Sequence, residues 1–519
     1  MKQTGPFKII ALLLLIFLAS VAIRLPNINR PLSKHHEFVT AVALIIIDNW
    51  DTQGASTFGF NPVMNFPGKA NKHINNWAST TGEMIDSQGN YYYVSHPPFA
   101  YIFPYAVFKI LHVKPSVLSI EIFNLFTNLI SALFIYFIIC LLGQQKPLYK
   151  IYWSAVVGFA IYLFSTGVLW FQSNTYMSDM LVHSFFIINV YIMLKLLMRK
   201  KYYSPKYLIY FSIFLFLMIY TSWLGIFFAF SVFIYSFIKL RKELVFIPLN
   251  LLTLFVSTTA ILLFVFQYSH INGIEAYFNQ MLQRVGERGS FHENLSFFTQ
   301  IKRYILSLIN IFKTYITSYL PLFLLLLSFA FLVVKKAKLR IVFTKNGYRF
   351  LWLSVLPVLL LHLSLSNYSG HDFVSLYGSL FLSVLIAILY DKLKEAKTLN
   401  NYVLNGGVVL IIFSSIFMYY VINRPGKYSW KGDYYAQSME LGKQIAETAK
   451  ADEVVFAMGD AIVFDPQLIY YAKRNIKKVN SEQEAIAFLK ERNIENGIIY
   501  FSENSKDNRF SNIIPISIK

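Results

Sequence analysis

Apolar runs of membrane-crossing length alternate with short polar breaks over residues 1–420, which predicts a polytopic bundle of α-helices. Eleven runs serve as spans: 8–25, 117–142, 151–171, 177–199, 206–222, 224–240, 246–268, 317–335, 350–366, 373–390 and 402–421. The first, KIIALLLLIFLASVAIRL, is long for a signal-peptide core and no small-residue cleavage site follows it, so it reads as a retained anchor. HPPFAYIFPYAVFKILH (96–112) is apolar too, but it is short and proline-bearing and ends in Lys109 and His112. It predicts a helix lying in the membrane interface. Two long connections remain, 26–116 and 269–316. From 423 onward the pattern changes. YAQSMELGKQIAETAK and SEQEAIAFLKERN carry helix periodicity, while DEVVFAMG, GIIYFS and IIPISI read as strands, predicting a small soluble α/β domain over 423–519 behind a membrane domain at 1–422. That domain has no glycine-rich phosphate loop, so no nucleotide is expected there.

Composition supports the membrane reading: 56% of the 519 residues are hydrophobic and 14% charged, and the mean hydropathy is +0.48. The formal charge of +20 would suggest nucleic acid only if it lay on one soluble face. Instead it sits in alternate connections. QQKPLYK, RKKYYSPK, KLRKE, KKAKLR and DKLKEAK are basic, whereas FQSNTYMS, SWLG and NYSGH contain no Lys or Arg. The positive-inside rule puts the basic set in the cytoplasm and both long connections and the C-terminal domain outside. The single Cys140 excludes an intramolecular disulfide.

With that topology, ionisable side chains gather on the outer side. Glu37 follows the first span within SKHHEFV, His96 opens the interfacial helix, and Asp179 stands at the mouth of the fourth span. Arg284 and Arg288 precede the eighth, and His371 and Asp372 the tenth. Charged groups at span ends are functional candidates, because leaving them unpaired near lipid is expensive. Each also has a plain structural reading: Asp179 and Asp372 as helix N-caps, His96 as an interfacial histidine, the arginines as headgroup contacts. Taken together, a carboxylate that can accept a hydroxyl proton, and arginines and histidines that can hold phosphate, suggest group transfer from a lipid-linked phosphate.

Three stretches resemble the GT-C glycosyltransferases, near the protein O-mannosyltransferases and the bacterial aminoarabinose transferases of lipid A. They are HHEF after the first span, YYYVSHPPF near the end of the first long connection, and NTYMSDMLVHSF at the fourth span; YTSWLGIFF is similar to a hairpin of the O-mannosyltransferases. The resemblance implies inverting transfer of one sugar from a polyprenyl-phosphate donor to a lipid, glycan or protein hydroxyl. The acid of the first connection, Glu37, would be the base and Asp179 would orient the acceptor or support that acid. His96, Arg284, Arg288, His371 and Asp372 would hold donor phosphate and sugar. His36 stands where the family carries an aspartate, so either Glu37 is the base or His36 takes part. The scheme needs no metal, although a divalent cation on Glu37, His36 and Asp179 is compatible with those ligand types. The rivals are a transporter or flippase of lipid-linked sugars, a scaffold, and a transferase of a larger glycan. Acids at one rim and no visible repeat favour the enzyme over the transporter.

Overall fold

A computed structural model describes residues 5–32, 35–75, 83–198, 204–289, 296–335, 344–397, 399–421, 437–459, 466–501, 510 and 512–518. The basic stretches at 199–203 and 336–340 lie outside the described residues. The chain runs α1 (Pro6–Arg24), α2 (Phe38–Gln53), a hairpin of β1 (Glu83–Ile85) and β2 (Tyr91–Tyr93), α3 (Phe99–Ile110), α4 (Val117–Leu142), α5 (Trp153–Phe164), α6 (Thr166–Phe171) and α7 (Ser178–Leu197). It continues through α8 (Pro205–Ile219), α9 (Leu224–Lys239), α10 (Phe246–Asn272), α11 (Ile274–Arg288), α12 (Phe297–Lys335), α13 (Lys345–Ser364), α14 (Ser366–Ser369), α15 (Gly378–Glu395) and α16 (Asn401–Val421). Among the described residues, eight helices are long and apolar enough to cross a membrane. The chain is therefore a multi-pass membrane protein. Three of the eleven expected spans correspond to the shorter α5, α8 and α9, of 12, 15 and 16 residues. The stretch 96–112, expected as an interfacial helix, contains α3, a 12-residue helix that includes Pro104.

Local chemistry explains the breaks. Ser116 and Ser119 close a capping box at the start of α4. The expected span 151–171 is not one helix, because the chain turns at Ser165 between α5 and α6. Arg24, fully buried, reaches into that break and donates to the carbonyls of Leu163, Val168 and Leu169, which supplies partners for a non-helical backbone inside the bundle. FQSNTYMS is likewise a buried turn rather than a surface loop. Asn124 donates to the carbonyls of Phe171, Ser173 and Thr175, and Thr40 bonds both Asn174 O and Tyr176 N. A Cβ at Gly158 would overlap Ile139 and press on Ala387, so glycine lets α5 close on α4 and α15.

The second long connection, expected as a loop over 269–316, is largely helical: α10 extends to Asn272, α11 follows, and α12 begins at Phe297. α12 bends at Tyr319, just before Pro321. The C-terminal helices and strands appear where the sequence placed them, as α17 (Gln437–Thr448), β3 (Val454–Met458), α19 (Glu482–Arg492), β5 (Asn496–Phe501) and β6 (Asn512–Ser517). Two elements were not foreseen, α18 (Pro466–Ala472) and β4 (Ile476–Lys478). The sheet order is β4-β3-β5-β6, with only the β5/β6 pair antiparallel. This unit packs on the first long connection: α18 lies against α2, Tyr471 Oη accepts from Leu32 N, and Lys473 pairs with Asp48 at 2.8 Å.

Candidate functional site

Five parts of the chain converge on a cavity of about 240 Å³. Phe38 and Val39 of α2, Tyr93 of β2, Met177 before α7, Arg284, Glu287 and Arg288 of α11, and Asn367, Tyr368, His371 and Phe373 around α14 line it. Of the residues singled out from sequence, Arg284, Arg288 and His371 face this space, and His36, His96, Asp179 and Asp372 touch residues that do.

Arg288 ends α11 and is 6% exposed. Its Nη2 lies 3.1 Å from His96 Nε2 and its guanidinium sits 4.4 Å from the Tyr368 ring centre. Burial, and then the neighbouring Arg288 and Arg284, hold the His96 imidazole well below its usual pKa, so the ring is neutral and its Nε2 accepts. Tyr268 in turn donates to His96 O at 2.6 Å. Nε and Nη1 of Arg288 are buried and have no hydrogen-bond partner among the described residues. A buried guanidinium with two open donor edges beside a cavity is suited to an anion, and a phosphate matches its fork. Arg284 pairs with Glu287 at 3.1 Å on the same helix.

On the other side, Asp372 gathers the histidines. Its Oδ1 is 2.8 Å from His36 Nε2 and its Oδ2 is 3.4 Å from His35 Nε2. The His36 ring lies against Phe38, His371 and Phe373, all three of them cavity residues, and its buried Nδ1 has no partner among the described residues. His36 adopts φ 58, the left-handed conformation, which sends the chain into α2 immediately after it. His371 stacks on Phe373, and burial, followed by the neighbouring His36, brings its pKa down to about 4. Burial lowers His35 to about 4 as well, against the pull of Asp372.

Glu37 lies outside the lining of this cavity. It is 1% exposed, and Arg30 holds it in bidentate fashion, Nη1–Oε2 at 3.0 Å and Nη2–Oε1 at 2.5 Å. It precedes α2 without capping it. In a separate buried network, Glu121 accepts from Asn29 N and from Asn174 Nδ2. Asp179, fully buried, is not an N-cap either. Its Oδ1 accepts from the hydroxyls of Tyr368 and Tyr377, each at 2.6 Å, so it anchors the ring on which Arg288 rests. The cation set of Glu37, His36 and Asp179 does not assemble, because the three groups bind Arg30, Asp372 and the two tyrosines respectively. No cluster of three or more such side chains fit for a metal occurs among the described residues.

Sequence reasoning missed Arg30, Tyr368 and Glu83. Arg30, seven residues before Glu37, was a charge of opposite sign within reach. Tyr368, in NYSGHD, is one of 35 tyrosines and carries no motif. Glu83, on β1 opposite Tyr93, is 6% exposed; burial, against an Asn75 hydrogen bond and the Arg284 charge, pushes its carboxyl up to about 8.

No family model and no curated protein matches the chain. Among solved structures, ArnT from Cupriavidus metallidurans bound to undecaprenyl phosphate is similar at TM-score 0.58 and 11% identity, covering 95% of this chain and 92% of that one. The archaeal oligosaccharyltransferase AglB from Archaeoglobus fulgidus, in complex with an inhibitory peptide and a dolichol-phosphate, is similar at TM-score 0.53 and 11% identity, over 95% of this chain and 69% of that one. Both are GT-C glycosyltransferases, so the chain has the fold that its three motifs resemble.

Proposed function

We propose that the protein is a membrane glycosyltransferase that moves one sugar from a polyprenyl-phosphate donor to an acceptor hydroxyl, with inversion, on the outer face of a bacterial plasma membrane. The observation that carries this reading is Arg288, a buried guanidinium at the cavity with Nε and Nη1 open. The fold likeness to proteins solved with undecaprenyl phosphate and dolichol-phosphate supports a carrier lipid of the same class. The lysine- and arginine-free connections on the cavity's end of the bundle support the outer face.

In this scheme Arg288, steadied by His96 and Tyr368, binds the donor phosphate, with Arg284 adding positive charge. The geometry favours His36 over Glu37 as base. With Nε2 paired to Asp372 at 2.8 Å, the Nδ1 lone pair is left to take the acceptor proton, the same division of labour as in a base oriented by a carboxylate. The acceptor oxygen then bonds to the anomeric carbon as the bond from that carbon to the phosphate oxygen breaks. Polyprenyl phosphate leaves with the electron pair, its charge compensated by Arg288. Asp179 acts at one remove, by fixing Tyr368 beneath the guanidinium.

Binding tests the phosphate assignment. Purified protein should bind polyprenyl phosphate about 10–100-fold more tightly than the matching polyprenol, the worth of one or two charged hydrogen bonds. Arg288→Ala should erase that preference; equal affinity for the two lipids in the unmodified protein would remove the donor site.

A further inference from the structure

A second and larger cavity, of about 710 Å³, lies on the other side of β2 from the candidate site. Strand alternation turns Tyr93 toward the first cavity and Tyr92 toward the second, so the two share a wall. The volume falls within the ~300–1,000 Å³ that encloses small ligands. Phe58, Phe60 and Ile102 form one apolar side, and Leu263 and Phe266 of α10 form the other. Leu263 and Phe266 are 41% and 66% exposed on a helix of membrane-spanning length, so the cavity opens onto the surface that α10 presents to lipid.

Its polar atoms are few and mostly satisfied. Gln267 bonds Tyr220 Oη and the carbonyls of Gly59 and Phe60. Asp86 accepts from Gln88 N, from Asn90 and from Tyr92 Oη. Burial opposes its ionisation, but those hydrogen bonds outweigh it and keep the carboxyl below its usual range. Asn61 differs. It is 4% exposed, its Nδ2 donates to Gln267 O, and its Oδ1 is buried with no partner among the described residues. A buried carbonyl oxygen without a partner, on a residue that lines a ligand-sized cavity, calls for a donor.

We propose that this cavity binds a neutral membrane lipid, its chain against Phe60, Leu263 and Phe266 and its hydroxyl donating to Asn61 Oδ1. Lipid chains are the apolar molecules that meet α10, and a hydroxyl is the uncharged donor that Asn61 requires. A phosphate headgroup would meet the Asp86 carboxylate and find no lysine or arginine among the lining residues. The assignment does not depend on the transfer reaction.

The test is photolabelling of the full-length protein in phosphatidylcholine vesicles, with a diazirine-bearing hexadecanol and with the methyl ether of the same molecule. The alcohol should label residues 57–61 and 263–271 saturably and about tenfold more strongly than the ether, the discrimination expected of one hydrogen bond. Asn61→Leu should remove the difference between the probes. Leu263→Trp, at a lipid-facing position that tolerates bulk, should suppress labelling by both and keeps the test open if the Asn61 variant does not fold. Non-saturable label spread along every lipid-facing helix, equal labelling by the two probes, or unchanged labelling of Leu263→Trp would overturn the assignment.

Discussion

Neighbouring residues in HHE have divided their work. Glu37 is locked to Arg30, while His36, one position earlier, is turned by its positive φ toward Asp372. Removing one member of a buried ion pair leaves the other charged and uncompensated, at a cost of about 3–5 kcal/mol. Glu37→Gln should therefore lower thermal stability markedly, in the apoprotein and without any substrate. His36→Asn should leave the melting temperature close to that of the parent and abolish transfer. A fully stable but inactive Glu37→Gln protein would return the base to Glu37. Glu83 gives a second expectation at this scale. Its folded pKa of about 8 lies above the ordinary value of 4.5, so the folded state holds a proton that the unfolded state releases between those limits. Stability from this group is present below the unfolded pKa and is lost as pH rises through the folded one. Glu83→Gln should flatten that fall and raise the melting temperature by a few degrees at about pH 8, with little change at about pH 4; a pH profile parallel to that of the parent would refute the burial argument. None of this was legible in the sequence, where an acid shows its charge but not its partner.

Among the elements, what could be read was whatever repeats. The long apolar runs, the amphipathic α19 and the apolar strands β3 and β5 stand in the sequence as periodicity. α18 escaped because PQLIYYA is a single short apolar run that fits strand or helix equally, and only its packing on α2 decides. The helical start of α12 escaped because its lysines and arginine at 302, 303 and 313 interrupt the apolar pattern. The docking of the C-terminal unit belongs to this scale. Asn475, fully buried, accepts from Phe66 N and donates its own N–H to Asn71 Oδ1, joining the edge of β4 to the first long connection. Asn475→Ala would leave the Phe66 N–H buried and unpaired, a loss of about 1–3 kcal/mol. Lys473→Ala, which breaks a partly exposed pair with Asp48, should cost under about 1 kcal/mol. Thermal unfolding of the two variants should keep that order, and the reverse order would mean that the unit is held by charge rather than by the buried amide.

Across the whole molecule, the helical bundle and the convergence of distant ionisable groups at one end were legible, because lipid forces apolar length and confines charge. Arg288, His371 and Asp372 do meet His36 and His96, as their shared end of the bundle implied. The sequence could not convey that Asp179 would be enclosed by tyrosines from 189 and 198 residues away, since no local pattern marks such contacts. The central claim is that this cavity transfers sugar from a lipid-linked phosphate. The direct measurement offers purified protein a panel of polyprenyl-phosphate sugars with mixed lipid, glycan and peptide acceptors, and follows the carrier lipid released. One donor in the panel should yield free polyprenyl phosphate and a glycosylated product in equal amounts, and both should vanish in His36→Asn. No release from any donor, or release undiminished in that variant, would contradict the account.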